Sequence, residues 1–378
     1  MRVVFVDHTT VPGGAQLALA RLLTAGAGGD STLVVPRGPL GAYAAVSRSG
    51  LVRVVRAGPA LRPGAGSAGL RAQLRNALDV LRQVGALAVR REVRRAEVLY
   101  ANSARSAVYT TVVGALLHTP VVVHLRDVVS RQALGRAGYA VTTRLVLPRA
   151  AAVVANSRYT LELAERGARL PDLRVVIHSP AGDLHTDEPL PPRPVVERIG
   201  MVARISPWKG QDLLIEAFAR ALPAGNVTLH FAGAPLFGET EHLDELHRLA
   251  TELGVAERVV FHGHVEDVGG FIDSLDIAVQ CSVQPEPLGQ NVLQYLARGR
   301  PIVAMAEGGP LELVDDGVTG ILIPPRDVEA LAAALQGLTA HEVRRSLGTA
   351  ARGSALALQC EASRRTHDLL DAVVTCRT

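Results

Sequence analysis

Short, uninterrupted apolar runs, separated by segments of helical character, recur along this chain and leave it few folds to adopt. Arg2-Val3-Val4-Phe5-Val6-Asp7 contains one such run, and Val121-Val122-Val123 is another, β-branched throughout. A strand with one wet face alternates apolar and polar residues, whereas a strand covered on both faces reads as a continuous run, as in a parallel sheet between helical layers. In the first half, strands are expected near residues 2–7, 31–36, 51–56, 97–101, 120–125, 151–155 and 174–177. In the second they are expected near 195–201, 227–232, 258–261, 275–280, 301–304 and 320–323, with helices from about 209, 239, 289, 327 and 340. Alanine-rich segments with helical propensity, such as Ala15 to Thr24 and Ser103 to Leu117, lie between the earlier strands. Alternation of this kind predicts an α/β chain with doubly wound parallel sheets.

Thr186 to Pro194 holds four prolines in nine residues, which neither a helix nor a central strand tolerates, so the chain is expected to divide there. The 378 residues suit two domains, each able to bury its own core. The expected organisation is an N-terminal domain over 1–185, a Pro-rich linker over 186–195 and a C-terminal domain over 196–355. A final helix over 356–378 is expected to pack back toward the N-terminal domain. With 48% apolar and 20% charged residues, a disordered chain is excluded. Cys281, Cys360 and Cys376 contain no CxxC pair, so neither a disulfide framework nor a cysteine zinc site is expected. A reducing cytoplasmic setting, with possible peripheral membrane contact, is expected, without a secretory leader, and no apolar run nears the roughly 18 residues of a membrane span.

Charge is distributed unevenly. Residues 1–185 carry 24 Arg against 10 Asp plus Glu, a balance of +14, and the remainder carries 16 basic against 26 acidic residues, a balance of −10. A basic first half points to an anionic partner: a phosphorylated acceptor, an acidic lipid surface or the second half of the chain. Aromatic residues at 3% and the absence of a binding module argue against nucleic acid. A long helix is expected from Leu70 to Arg95, with Arg71, Arg75, Arg82, Arg90, Arg91, Arg94 and Arg95 partly on one face. That segment, 71–95, reads either as a solvated face or as peripheral contact with an anionic membrane.

Several motifs carry little. Gly64-Ala65-Gly66-Ser67-Ala68-Gly69 matches GxGxxG, but Pro59 and Pro63 separate it from the preceding strand, where the first glycine of a dinucleotide turn belongs. His262-Gly263-His264 could present two imidazoles to a metal, but no third ligand is identifiable, and a hydrogen-bonded pair at a strand end is expected. A DxD metal motif, a P-loop and a GxSxG elbow are missing, and Asp315-Asp316 before Gly317 reads as a turn.

Of the 40 basic residues other than histidine, a single one is lysine, Lys209, beside the single tryptophan, Trp208. Arg204 is expected just past a strand end and Lys209 at the start of the next helix, so two cations and a helix N-terminus can converge on a diphosphate. Downstream, Gln284-Pro285-Glu286-Pro287-Leu288-Gly289 presents a carboxylate in a turn before a helix. A rigid carboxylate can bind sugar hydroxyls, and free N–H groups at the helix start can hold an anion. Gly308-Gly309-Pro310-Leu311-Glu312 and Asp316-Gly317-Val318-Thr319-Gly320 follow one strand later.

At these residues the chain resembles glycosyltransferase family 4, whose members carry a Gly-x-x-x-Arg loop leading to Lys-Gly, then a Glu-x7-Glu segment, GGxxE and DGxxG. The matches run in order across about 200–325. Pro12-Gly13-Gly14-Ala15-Gln16 and Asn156-Ser157-Arg158 resemble the family's first-half elements more loosely. The resemblance implies a GT-B fold, two Rossmann-like domains facing across a cleft, and a metal-independent retaining transferase without a cofactor. Its nucleotide-diphosphate sugar, UDP-linked in preference to GDP-linked, would be held mainly by the second domain, and its hydroxyl acceptor by the first. A glycolipid or polysaccharide intermediate and a small natural product remain alternative acceptors. Arg204 and Lys209 would then bind the departing diphosphate, and Glu286 the transferred sugar. Gly14, Val265, Leu288, Gly289, Gln290, Asn291 and Gln294 would contribute to donor binding.

The pattern is broken twice. Eight residues after Glu286, where the family has a second glutamate for the ribose hydroxyls, stands Gln294. In His124-Leu125-Arg126-Asp127 the position of the family's His before Asp holds Arg126, and His124, two residues back, shares its face if the strand continues. His124, Arg126 and Asp127 are therefore the candidates for the acceptor or sugar side. These departures also motivate an alternative, a non-catalytic nucleotide-sugar-binding protein with a degenerate GT-B site.

Overall fold

The computed structural model describes residues 1–26, 30–59, 70–181, 184, 191, 193–235 and 238–376, with the side chains of 70–74 outside the description. Contacts divide the chain into two units, Met1–Gly182 with Gln359–Thr378, and Asp183–Leu358.

The first unit is built on seven parallel strands, β1 (Arg2–Val6), β2 (Asp30–Val35), β3 (Arg53–Arg56), β4 (Val98–Ala101), β5 (Val121–Leu125), β6 (Ala152–Ala155) and β7 (Arg174–Val176). Their order is β3-β2-β1-β4-β5-β6-β7, with Val4 opposite Thr32 on one side and Leu99 on the other. The continuous apolar runs are explained by burial on both faces. Val3 and Phe5 pack into one core with Tyr100 and Val122, which Ala362, Leu369, Leu370 and Val373 of the helix His341–Thr375 complete. Val4 and Val6 pack into the other with Leu99, Val121 and Val123. Helices follow the strands after serine caps: Ser103 Oγ accepts from the Ser106 N–H and Ser157 Oγ from the Thr160 N–H.

The second unit has six parallel strands, β8 (Arg198–Val202), β9 (Thr228–Ala232), β10 (Val259–Phe261), β11 (Ile277–Gln280), β12 (Ile302–Met305) and β13 (Ile321–Ile323). They are ordered β10-β9-β8-β11-β12-β13 over one large core that includes Ile199, Met201, Phe218, Phe231 and Val279. Both sheets are therefore doubly wound. The order reverses between β1 and β4 in the first unit and between β8 and β11 in the second. Ligands of open α/β sheets bind beyond the carboxyl ends of the strands at such reversals.

Two expectations are corrected. The segment 70–95 is not one helix: Leu70–Ala88 ends, Arg90 adopts an extended conformation at ψ 132°, and a short helix Arg91–Arg94 follows. Arg90 Nη2 donates to Arg56 O at the end of β3, and Val93 is buried, so tertiary contacts outweigh the helical propensity of the run. Two short helices, Val268–Asp273 and Pro310–Leu313, were not anticipated. The GxGxxG stretch at 64–69 and most of the Pro-rich segment lie outside the described residues.

Candidate active site

In the second unit the reversal between β8 and β11 gathers the residues singled out above. Leaving β8, the chain reaches Arg204, makes a turn at Pro207–Lys209 and enters the helix Gln211–Ala221 through Gly210. Gly210 has φ +73°, and a Cβ there would lie 2.1 Å from Cys281 O, so the turn crosses the exit of β11 at a distance that only glycine permits. Gln211 Nε2 fixes the Arg204 carbonyl at 2.9 Å, and the Val283 N–H donates to Trp208 O at 2.9 Å. The turn is thus tied to both loops that leave the switch point.

The two cations are each engaged by a carboxylate. Lys209 Nζ lies 2.5 Å from Glu286 Oε1 and 3.8 Å from the centre of the Trp208 ring. Ser282 Oγ donates to the same Glu286 oxygen at 2.6 Å. Arg204 Nη1 donates to Glu239 Oε2 at 2.8 Å, and Ser206 Oγ holds the other oxygen of Glu239 at 2.6 Å. Lys209 is 14% exposed and Glu286 7%, so this pair is more shielded from water than a surface ion pair, and its mutual attraction is correspondingly stronger.

The glycine pair has a mechanical role. Gly309 N–H donates to Glu286 O at 2.9 Å, and a Cβ on Gly308 would stand 2.5 Å from that oxygen. A Cβ on Gly309 would meet Leu288 Cα at 2.4 Å. The 308–309 backbone thereby presses on the 285–288 loop and fixes where the Glu286 carboxylate stands. Asp315-Asp316-Gly317 is a turn, as expected, with Gly317 at φ +73°.

Past Leu288, which is buried, Gly289 at φ +85° opens the helix Gln290–Ala297. Asn291 Nδ2 donates to Val202 O at 3.2 Å, and Tyr295 Oη accepts from the Val202 N–H at 2.6 Å. This helix therefore pins the end of β8. Burial pushes the Tyr295 hydroxyl well up, so it stays protonated. Gln294 is buried on the same helix, and Gln290 Nε2 is buried without a hydrogen-bond partner among the described residues. Val265 is half-buried and follows the edge strand β10. The histidine expectation is corrected as well. His262 pairs with His230 on β9, Nε2 to Nδ1 at 2.9 Å with stacked rings, and not with His264. Burial, then the charges of His262 and Arg198, lower His230 to about 4.

In the first unit, the reversal between β1 and β4 holds a buried polar network that sequence reasoning missed. Asp7 accepts from Tyr43 Oη at 2.5 Å, Asn102 Nδ2 at 2.6 Å and the His8 N–H at 2.6 Å. Burial opposes its charge, but the His8 and Tyr43 contacts among others hold its carboxyl below the ordinary value. A polar residue ending an apolar run, at Asp7 and again at Asn102, was the available signal. Next along the sheet, Arg126 donates from Nε to Asn102 Oδ1 and from Nη1 to Ser179 Oγ, both at 3.0 Å. His124 is buried against Tyr100, Nδ1 to Oη at 2.5 Å, and burial and the nearby Arg126 charge keep it neutral. Asp127 is exposed, and Gly14 begins the first helix, where a Cβ would meet nothing within 4 Å.

Comparison with known proteins gives matches along nearly the whole chain. The family described as glycosyl transferases group 1 matches residues 190–354, and the one described as glycosyl transferase 4-like domain matches residues 13–230. The chain is 37% identical over 153 residues to the lipopolysaccharide core biosynthesis glycosyltransferase LpsE of Rhizobium meliloti, covering 40% of this chain and 42% of the relative. It is 39% identical over 181 residues to a D-inositol 3-phosphate glycosyltransferase of Geodermatophilus obscurus, covering 46% of this chain and 39% of that one. These matches thus span about two-fifths of the curated relatives' length. The crystal structure of Anabaena HepE in complex with UDP and glucose aligns at a TM-score of 0.78 and 25% identity, over 97% of this chain and 99% of that one.

Proposed function

The chain belongs to the glycosyl transferase 4-like, group 1 family of GT-B glycosyltransferases, and from that premise we propose that it is a retaining transferase moving a sugar from a nucleotide-diphosphate sugar to a hydroxyl acceptor. The observation that carries this reading is the anchoring of Arg204 and Lys209 at the β8/β11 reversal, with Glu286 held beside Lys209. UDP is the preferred nucleotide, in keeping with the ligand of the HepE complex.

The chemistry requires charge to be stabilised as the glycosidic bond to the diphosphate breaks. Two cations carried on a turn that is tied to both loops of the switch point can do this, and one well-placed donor of this kind contributes about 3–4 kcal/mol. Glu239 and Glu286 hold the cations extended while no diphosphate competes for them. A bound diphosphate takes over both, and Glu286, still fixed by Gly308 and Gly309, turns its acceptor oxygens to sugar hydroxyls. Retention proceeds by attack on the face from which the leaving group departs, a donor phosphate oxygen taking the acceptor proton. That route needs neither a protein nucleophile nor a metal, and Asp7, already saturated with donors, is not assigned as a base.

The test is the melting temperature of the protein with UDP, GDP, ADP and TDP, without metal, for the wild type and Lys209→Ala. A selective rise with UDP that the substitution abolishes supports the reading, since a ligand at 100 times its Kd stabilises by about 2.7 kcal/mol. No rise with any nucleotide at millimolar concentration rejects it.

A further inference from the structure

Among the described residues four arginines are buried outside the diphosphate site, Arg21, Arg126, Arg300 and Arg344, and the last two place donors on backbone carbonyls or beside a carboxylate. Arg344, 0% exposed, donates to the carbonyls of Leu338, Thr339, Arg193 and Pro194. Arg300, 2% exposed, donates to Leu275 O and lies 3.7 Å from Asp273. Arg126 differs. It is 6% exposed, its two bonds go to the neutral oxygens of Asn102 and Ser179, and no carboxylate forms an ion pair with it among the described residues. Its Nη2 is buried without a hydrogen-bond partner among those residues.

A guanidinium carries five N–H donors and keeps its charge; the Asp7 and Asp127 carboxylates favour that charge from nearby without forming an ion pair, and burial leaves Nη2 unmet unless something else reaches it. The surroundings hold this cation in place. Asn102 Nδ2 is turned toward Asp7 Oδ2 at 2.6 Å and Ala15 O at 3.1 Å, which leaves its oxygen facing Arg126 Nε. Asn156 Nδ2 fixes the Arg126 carbonyl at 2.8 Å. Side chain and backbone are both locked, beyond the carboxyl end of β5 and one strand from the β1/β4 reversal. The neighbouring His124 is neutral and committed to Tyr100, so Arg126 is the cation this locality offers.

We infer that the first unit contains an oxyanion site, in which Arg126 receives through Nη2 a carboxylate or phosphate carried by a substrate and so selects an anionic sugar or acceptor over its neutral counterpart. The assignment rests on the transferase reading for the word substrate, but not for the site. Asn102 and Ser179 act as positioning residues.

Calorimetry with the full chain separates the two sources of the anion. UDP-glucose and UDP-glucuronate are titrated into the wild type, Arg126→Met and Arg126→Lys, and inorganic phosphate into the same proteins saturated with UDP. An anion on the donor sugar predicts that the wild type binds UDP-glucuronate at least tenfold more tightly than UDP-glucose, a preference lost in Arg126→Met with UDP affinity unchanged. An anion on the acceptor predicts equal donor affinities, and phosphate binding to the UDP-saturated wild type that Arg126→Met abolishes. Arg126→Lys keeps the charge without the fork, so it retains phosphate binding weakened about tenfold, and it carries the test if Arg126→Met fails to fold. Equal donor affinities, together with phosphate binding that is absent or indifferent to residue 126, overturn the inference. If UDP binds none of the three proteins, the donor reading of the second unit falls, and phosphate and glucuronate titrated into the free proteins decide the Arg126 site alone.

Discussion

Lys209 and Glu286 hold each other in the unliganded protein, so removing either has opposite consequences for the bare nucleotide. Lys209→Ala takes away a charged hydrogen bond of about 1.5–3 kcal/mol, and UDP should bind about ten- to a hundredfold more weakly by calorimetry. Glu286→Gln frees Lys209 from its competitor, so UDP should bind as well as or better than in the wild type, while turnover of the UDP-sugar falls. A parallel loss of both would mean that Glu286 serves only to orient Lys209. Gln294→Glu should tighten UDP about tenfold if residue 294 meets the ribose, since a charged acceptor replaces a neutral one. Arg204 and Lys209 stand out in the sequence because they lie five positions apart between a strand and a helix, and Glu286 because it sits in a Pro- and Gly-bounded turn before a helix. That Lys209 meets Glu286 across 77 positions, and Arg204 meets Glu239, was not legible there, because neither loop's path is set by local propensity. Asp7 was hidden for the same reason: Tyr43 and Asn102 reach it only once β1 and β4 are adjacent.

At the level of elements, the reading of strands succeeded where burial on both faces leaves a continuous apolar run, as in β5 with Val121 to Val123. It failed at the break near Arg90 and at Val268–Asp273, where two glycines mask a one-and-a-half-turn helix held by the Asp267 cap. The crossing of the Lys209 turn over β11 gives a direct test. Gly210→Ala places a Cβ against Cys281 O at a left-handed φ, which should cost about 1–3 kcal/mol of stability in urea unfolding and weaken UDP binding with it. A neutral result would show that the turn is free to move aside. The β9/β10 histidines give another. His230 is held near 4 when folded, below the ordinary 6.5, so the unfolded chain binds more protons between those values. Its contribution to stability is therefore intact above about pH 6.5 and declines as the pH falls toward 4. His262→Gln removes one of the opposing charges, and urea unfolding at pH 7 and 5 should show a smaller acid loss than in the wild type.

Over the whole molecule, the balance of +14 before residue 186 and −10 after it gives the first half a long-range pull on anions. Such attraction is screened over about 8 Å at physiological ionic strength. With an anionic acceptor, KM should rise between 50 mM and 500 mM salt while kcat holds, whereas a neutral acceptor should show a flat KM. The same composition gives the chain an unusual chemical handle. Its sole lysine is the cation proposed to meet the diphosphate, bonded to Glu286 and backed by Trp208. Apart from the α-amino group, an amine-selective reagent has one target in the entire protein. The mass gained on brief reductive methylation thus becomes a gauge of site occupancy, readable on the intact, unmutated chain.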